Sequence, residues 1–206
     1  MPTLLHLDSS PLETSISREL GREFVKTWKA ARDDGSVIYR DLAASAPKPL
    51  DAAWISASFT PESSRSEEQT AALALSDELI DELDRADEYV IGVAMHNFAV
   101  PSVLKLWLDQ VLRKGKTFGY GDGGPVGLLR NKKATVLAAT GGIYEVGTPR
   151  AALNFVEPYL KTVFGLIGVT DVTFVTASGT AQIMMGAIDR ETLLQPVLER
   201  VRRAAA

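Results

Sequence analysis

The sequence predicts an α/β domain of three layers: a five-stranded parallel sheet with helices packed on both faces. Short continuous apolar runs, of the kind found in strands buried on both sides, recur along the chain. Segments with apolar residues at helical spacing separate them, so strand and helix alternate from end to end. The length of 206 residues fits one such domain, and no internal repeat, linker or low-complexity tract divides it.

Thr3 to Leu7 is the first apolar run, closed by Asp8-Ser9-Ser10-Pro11 as a turn. Ser15 and Ser17 offer N-caps for a helix from about Arg18 to Ala31, with Leu20, Phe24, Val25 and Trp28 on one face. Ser36 to Tyr39 is a second short strand. Residues 41 to 65, rich in Ala, Ser and Pro without a clear period, read as a long surface loop. Glu67 to Arg85 is a strong helix carrying Ala71, Leu75, Leu79 and Leu83. The third strand lies within Glu88 to Met95. A helix opens at about Val103 behind Pro101, with Leu104, Trp107, Leu108 and Val111 inward. Residues 114 to 131 are glycine-rich and read as irregular. Ala134 to Ala139 is the fourth strand, and Pro149 to about Gly165 a helix kinked near Pro158. Val169 to Thr176 is the fifth strand. Asp189 to the C-terminus is the last helix, with Pro196 in its early turns.

Right-handed crossovers leave few topologies for this order of elements. Five parallel strands suit the flavodoxin-like order 2-1-3-4-5, whose ligand crevice lies at the carboxyl ends of the strands.

Composition narrows the function. The chain has no cysteine, which removes thiolate metal sites, iron–sulfur clusters, a catalytic thiol and disulfides together. Only two histidines are present, without metal-ligand spacing. The formal charge of −4 and the scattered basic residues argue against nucleic acid. The N-terminus enters an apolar strand without a basic leader, and no apolar run approaches the ~20 residues of a membrane span. A soluble cytoplasmic protein is therefore expected.

Three loops follow strands one, three and four. The first runs from Ser9-Ser10 to Ser15-Ile16-Ser17 and ends at a helix N-terminus. Free backbone N–H groups, the helix dipole and serine hydroxyls suit phosphate oxygens there. No Gly-x-x-x-x-Gly-Lys-Ser/Thr and no Gly-x-Gly-x-x-Gly is present, which disfavours a nucleoside triphosphate or a Rossmann-type dinucleotide. The second loop, Met95-His96-Asn97-Phe98-Ala99-Val100-Pro101, places an amide among apolar side chains, as a flat heteroaromatic ring requires. The third, Thr140-Gly141-Gly142-Ile143-Tyr144, lets backbone approach a ligand closely. Taken singly, helix capping, a packed turn and an ordinary Gly-Gly turn explain these loops as well. Their common position at one sheet edge is what favours a site.

With these residues in place, the chain resembles the bacterial FMN-dependent NADH azoreductases and quinone reductases of the flavodoxin-like superfamily. The resemblance covers nearly the whole chain. It is strongest in Leu104-Lys105 through Leu108-Asp109, Thr117-Phe118-Gly119-Tyr120, Gly124-Pro125-Val126-Gly127-Leu128-Leu129, Lys132-Lys133 and Gly141-Gly142. It implies that Ser10, Ser15, Ile16 and Ser17 bind the FMN phosphate. It implies that Met95, His96, Asn97 and Phe98 contact the isoalloxazine, and that Ala139, Thr140, Gly141 and Gly142 close on its pyrimidine end. It further implies a homodimer with active sites at the interface, with Tyr120 facing the partner's flavin. The implied reaction is ping-pong: NADH, or NADPH, delivers two electrons that a quinone or aromatic azo compound then receives. Two departures stand out, His96 where the family usually has Tyr, and Ala139-Thr140 where it commonly has a Ser-Arg pair. His96 is the one polar residue offered as a proton donor, against a simple ring-packing role.

Other functions fit less well. A non-enzymatic flavodoxin-type electron carrier is the nearest alternative, although such proteins are typically very acidic. A response-regulator receiver needs Asp where Met95 stands. A serine hydrolase needs a Gly-x-Ser-x-Gly elbow, which is absent.

Overall fold

The computed structural model describes all residues from Met1 to Ala206. Strands β1 (Thr3–Asp8), β2 (Ser36–Asp41), β3 (Glu88–Ala94), β6 (Lys133–Ala139) and β7 (Asp171–Ala177) form one parallel sheet. Its order is β2-β1-β3-β6-β7. Counted along the sheet alone, this is the 2-1-3-4-5 order expected. The higher labels arise because β4 (Phe118–Gly121) and β5 (Gly124–Gly127) intervene as a separate antiparallel hairpin.

Burial explains the apolar runs. Along β1, Leu5 and Leu7 face one layer of core and Leu4 the other. The larger core includes α3 (Glu67–Arg85), α4 (Ser102–Val111) and α5 (Val156–Ile167) through Leu79, Leu83, Trp107, Leu108, Leu160 and Phe164. The smaller core joins α1 (Ile16–Ala30) and α7 (Arg190–Ala205) through Leu20, Phe24, Trp28, Leu194, Val197 and Val201. Both helix starts are capped by side chains. Ser15 accepts from the Arg18 amide, and Asp189 accepts from the Thr192 amide. In α3 the Ser66 and Gln69 side chains and backbones bond reciprocally as a capping box.

Four expectations change. Residues 41 to 65 are not a plain loop, since α2 (Ala52–Phe59) and a 3-10 turn at Glu62–Ser64 lie within them. Asp51 caps α2, and the buried Trp54 donates from Nε1 to Gln110 Oε1 at 2.8 Å. The helix is held by this tertiary anchor, which no sequence period announces. Residues 114 to 131 contain the β4–β5 hairpin, turned at Asp122-Gly123, an Asp-Gly pair of the kind that favours tight turns. The helix expected from Pro149 begins only at Val156, after a 3-10 turn at Ala151–Leu153. Pro158 then falls in its first turn, where a missing N–H costs no intrahelical bond, so no kink is needed. A short helix α6 (Ala181–Met184) follows β7. Pro196 lies inside α7, as expected.

The hairpin docks on the end of α5 through two glycines. A Cβ on Gly127 would lie 2.1 Å from Gly168 N, and Gly168 itself has φ +99° with its would-be Cβ 2.6 Å from Leu129 O. Gly168→Ala is therefore expected to destabilise the fold by about 2 kcal/mol or more. Gly165→Ala, in the same helix with open space around it, should be neutral or stabilising by up to about 1 kcal/mol. Urea unfolding of the two variants checks the contrast, and equal effects contradict it.

Candidate active site

Register aligns the ends of the three central strands. Asp8 pairs with Gly92, and Ala94 pairs with Ala139. The chain therefore leaves β1, β3 and β6 along one edge, which brings the three loops of interest side by side.

The first loop is pinned from below. Ser9 is fully buried and its hydroxyl donates to Gly92 O at 2.6 Å. Ser10 is buried and its carbonyl accepts two N–H bonds from Arg18, at 3.0 and 2.8 Å. Ser15 caps α1 and its Oγ lies 3.2 Å from the buried Ser17 Oγ. Ile16 packs against the smaller core. The amides of Ile16 and Ser17 find no acceptor within the chain, so two donors stand free at the helix start. Beneath them Arg18 bridges Asp8 at 3.4 Å and Asp41 at 2.7 Å. His6, also buried, sets Nε2 3.6 Å from Asp8 Oδ1, and neither atom has a hydrogen-bond partner.

Electrostatics follow from that packing. Burial opposes the charge on Arg18, but hydrogen bonding to Asp41 and the negative charge of Asp8 outweigh it and raise its pKa. Burial alone would raise Asp41, yet hydrogen bonds from Arg18 and from the Ala43 and Ala44 amides hold it below the usual carboxylate range. Burial and the Asp8 charge push the Tyr39 hydroxyl up to about 12, so it donates to Asp8 Oδ2 at 3.0 Å as a neutral phenol.

The second loop is a tight turn. His96 and Ala99 exchange two backbone bonds of 3.0 Å, and the central residues Asn97 and Phe98 have φ of 48° and 71°. Asn tolerates that region; a bulky residue there is an outlier of the sort that collects at functional sites. Met95 packs inward on the larger core, while His96, Asn97 and Phe98 are exposed. The Phe98 carbonyl accepts from the Phe155 amide at 3.1 Å, and its ring meets Tyr144 edge-on at 6.0 Å. Loops two and three thus touch.

In the third loop Thr140 is buried, and its hydroxyl donates to Gly142 O at 2.8 Å. Ala139 and Gly142 are half-buried and Gly141 is exposed. A Cβ on Gly141 would meet only Ala181 Cβ, at 3.8 Å, so no internal packing demands glycine there. The open approach over Gly141 suits a ligand laid against the backbone.

Two cavities flank these loops. One of about 860 Å³ runs from His96 and Asn97 past Lys105 to Phe155, Tyr159 and Thr162. The other, about 590 Å³, is lined by Gly141, Gly142, Tyr144, Arg150, Gln182 and Met185. Tyr120 is not brought to the sheet edge. It stands 66% exposed on the β4–β5 hairpin, with Phe118 edge-on at 6.0 Å and Lys114 Nζ 5.4 Å from its ring centroid.

Several residues of the site escaped the sequence reading. Arg18 was legible only as a helix residue; the signal that pairs it is the presence of Asp8 and Asp41 at the ends of adjacent strands. Phe155 and Gln182 carry no local signal and join the site through tertiary packing alone. No group of three or more His, Asp or Glu side chains is placed to hold a metal ion.

The arrangement offers anion donors at one end and an amide with aromatic cover at the other. FMN fits that donor set: its phosphate calls for the free Ile16 and Ser17 amides, and its ring for the exposed turn 96–98 and the bare Gly141 backbone.

Comparison with known proteins agrees with this geometry. Residues 2–203 match the family described as having a flavodoxin-like fold. The chain is 62% identical over 206 residues to an FMN-dependent NADH:quinone oxidoreductase of Acidobacterium capsulatum, covering 100% of both chains. It is 46% identical over 200 residues to FMN-dependent NADH:quinone oxidoreductase 3 of Burkholderia lata, covering 97% of each. Among solved structures, an azoreductase from Bacillus anthracis str. Sterne superposes with TM-score 0.89 at 28% identity, over 100% of this chain and 99% of that one. An FMN-dependent NADH-azoreductase from Bacillus anthracis str. Ames Ancestor, in complex with FMN, gives TM-score 0.88 at 26% identity, over 100% and 98%.

The depressed Asp41 carboxyl stabilises the fold above its unfolded pKa, and that contribution is lost as pH falls through the folded value. Asp41→Asn should therefore cost about 2 kcal/mol near pH 7. The difference from the parent chain should shrink as pH falls below the unfolded carboxylate range and close only once the folded Asp41 is protonated as well. Urea unfolding across that range measures it, and a constant difference contradicts the assignment.

Proposed function

The chain belongs to the FMN-dependent NADH:quinone oxidoreductases of the flavodoxin-like fold, and on that premise we propose that it reduces quinones with two electrons from NADH and cleaves aromatic azo compounds reductively. The observation that carries the reading is the meeting of three loops at the sheet edge, with free amides at the start of α1 and an unfilled approach over Gly141. When bound, FMN supplies the redox chemistry, accepting two electrons from the nicotinamide and yielding them to the acceptor. A quinone takes these with two protons to become the hydroquinone. An azo bond needs four electrons and four protons to give two amines, hence two molecules of NADH.

The protein's part is position and electrostatics. The N–H groups of Ile16 and Ser17, with the Ser10, Ser15 and Ser17 hydroxyls, would hold the phosphate at the positive end of the α1 dipole, about half an elementary charge. Met95 supports the second loop from the core, while His96, Asn97 and Phe98 would lie along the ring. Ala139, Thr140, Gly141 and Gly142 would border its pyrimidine edge, where backbone N–H donors stabilise negative charge as it develops. The internal bond from Thr140 to Gly142 O fixes that border and leaves Thr140 a shaping role. The exposed faces of Tyr120 and of Phe59, 76% exposed on α2, support a homodimer in which a second copy covers them. No helix is long and apolar enough to cross a membrane, and dependence on NADH agrees with a cytoplasmic place. The reductase relatives favour an enzyme over a flavodoxin-type electron carrier.

The visible spectrum of the purified protein tests the class. Oxidised-flavin bands bleached by NADH and restored by a quinone are expected, with parallel double-reciprocal lines. A colourless protein that does not take up FMN, or steady turnover with intersecting lines, contradicts the reading. His96 stands exposed at the turn and pairs only through its backbone with Ala99. It serves here as ring cover. His96→Tyr should keep turnover within about twofold and leave the pH–rate profile unmoved, since no proton donor is lost. Loss of a limb of that profile would instead make His96 a proton donor.

A further inference from the structure

The guanidinium of Arg18 is buried under the first loop, 5% exposed, and every direction in which it donates is taken. Nε and Nη2 both donate to Ser10 O, at 3.0 and 2.8 Å. Nη2 also donates to Asp41 Oδ2 at 2.7 Å, and Nη1 to Asp8 Oδ2 at 3.4 Å and Tyr39 Oη at 3.2 Å. Arginine has five N–H groups in a rigid fork, and these five contacts occupy it. Nothing is left to reach an incoming anion, so any role at the phosphate must be indirect.

The indirect role lies in one carbonyl. A backbone oxygen has two lone pairs, and both at Ser10 are engaged by the same fork. That turns the oxygen inward, away from the surface where the Ile16 and Ser17 amides stand free. An oxygen turned outward would repel phosphate at the spot the amides attract it. Because the peptide group is planar, fixing the Ser10 carbonyl also fixes the following peptide to Pro11, which has no N–H of its own to hold it. Downstream, the Leu12 carbonyl accepts from the Ser15 amide at 3.0 Å and delivers the chain to its cap. The same cation neutralises carboxylates that otherwise face the anion. Asp8 and Asp41 bring two negative charges beneath the loop, and Arg18 is the cation bonded to both.

We infer that Arg18 is a positioning residue that makes this site select phosphorylated flavin: it holds the Ser10 carbonyl inward and masks Asp8 and Asp41, without touching the phosphate. The inference rests on the FMN reading above. It separates the two ends of the ligand. Losing Arg18 should weaken what binds through phosphate and leave what binds through the ring.

Titrating flavin-free protein with FMN and with riboflavin, by quenching of flavin fluorescence, reads this directly. In the parent chain FMN should bind at least tenfold more tightly than riboflavin. Arg18→Met should lose tenfold or more in FMN affinity with riboflavin affinity within twofold. Arg18→Lys keeps the charge but not the fork, folds with less disturbance, and should show the same selective loss in smaller measure. Arg40→Met is the control. Arg40 pairs with Glu78 and Glu82 on α3, and its loss should leave the ratio of the two affinities unchanged. Equal weakening of both flavins in the Arg18 variants overturns the inference while the FMN reading stands. So does a parent-like ratio in both of them. Failure of the parent chain to prefer FMN overturns the reading and the inference with it.

Discussion

Parallel pairing fixes where the three candidate loops of this protein meet. In a parallel sheet each strand enters from the same side, so every loop that follows a strand emerges at the same edge. The register of β1, β3 and β6 then brings Asp8 beside Gly92 and Ala94 beside Ala139. Loops separated by some forty to eighty residues become neighbours without any contact between their side chains being required. The contacts that do form, Ser9 to Gly92 O and Phe98 against Tyr144, tighten an adjacency that the sheet has already imposed.

On this frame the loops divide the work by backbone chemistry. The first ends at a helix start and so exposes N–H groups; its carbonyl at Ser10 is drawn inward by Arg18. The second holds Asn97 and Phe98 at positive φ, a conformation held by the surrounding bonds in a tight turn. The third keeps one residue, Gly141, free of a side chain although its own packing would admit one. Few charged side chains reach the outer surface of these loops, which agrees with a cofactor that brings its own reactivity.

Much of this was legible in the sequence because the relevant signals are local. Continuous apolar runs such as Tyr89 to Val93 marked the strands, Ser15 marked a helix start, and the loop compositions marked the sheet edge. The strand order followed from handedness and strand count. What stayed hidden depends on distant partners. Helix α2 exists because Trp54 reaches Gln110 across the fold, and its own sequence has apolar residues on all sides. The β4–β5 hairpin is short and glycine-rich, so its Asp122-Gly123 turn was the only cue, and it went unread. Pro158 looked like a kink because Phe155, which precedes the helix, is no capping residue; the cap comes from one position earlier, where Asn154 Oδ1 accepts from the Val156 and Glu157 amides at 3.2 Å. Arg18 looked like any surface helix residue until β1 and β2 placed two carboxylates against it.

The proposed site has one flavin occupying all three loops at once, and amide hydrogen exchange with and without FMN tests this most directly. Binding should slow exchange together in segments 15–18, 95–99 and 140–144, with the sheet interior unchanged. Protection in only one of these segments, or protection confined to the hairpin at 118–127 and the surface of α2, would contradict it.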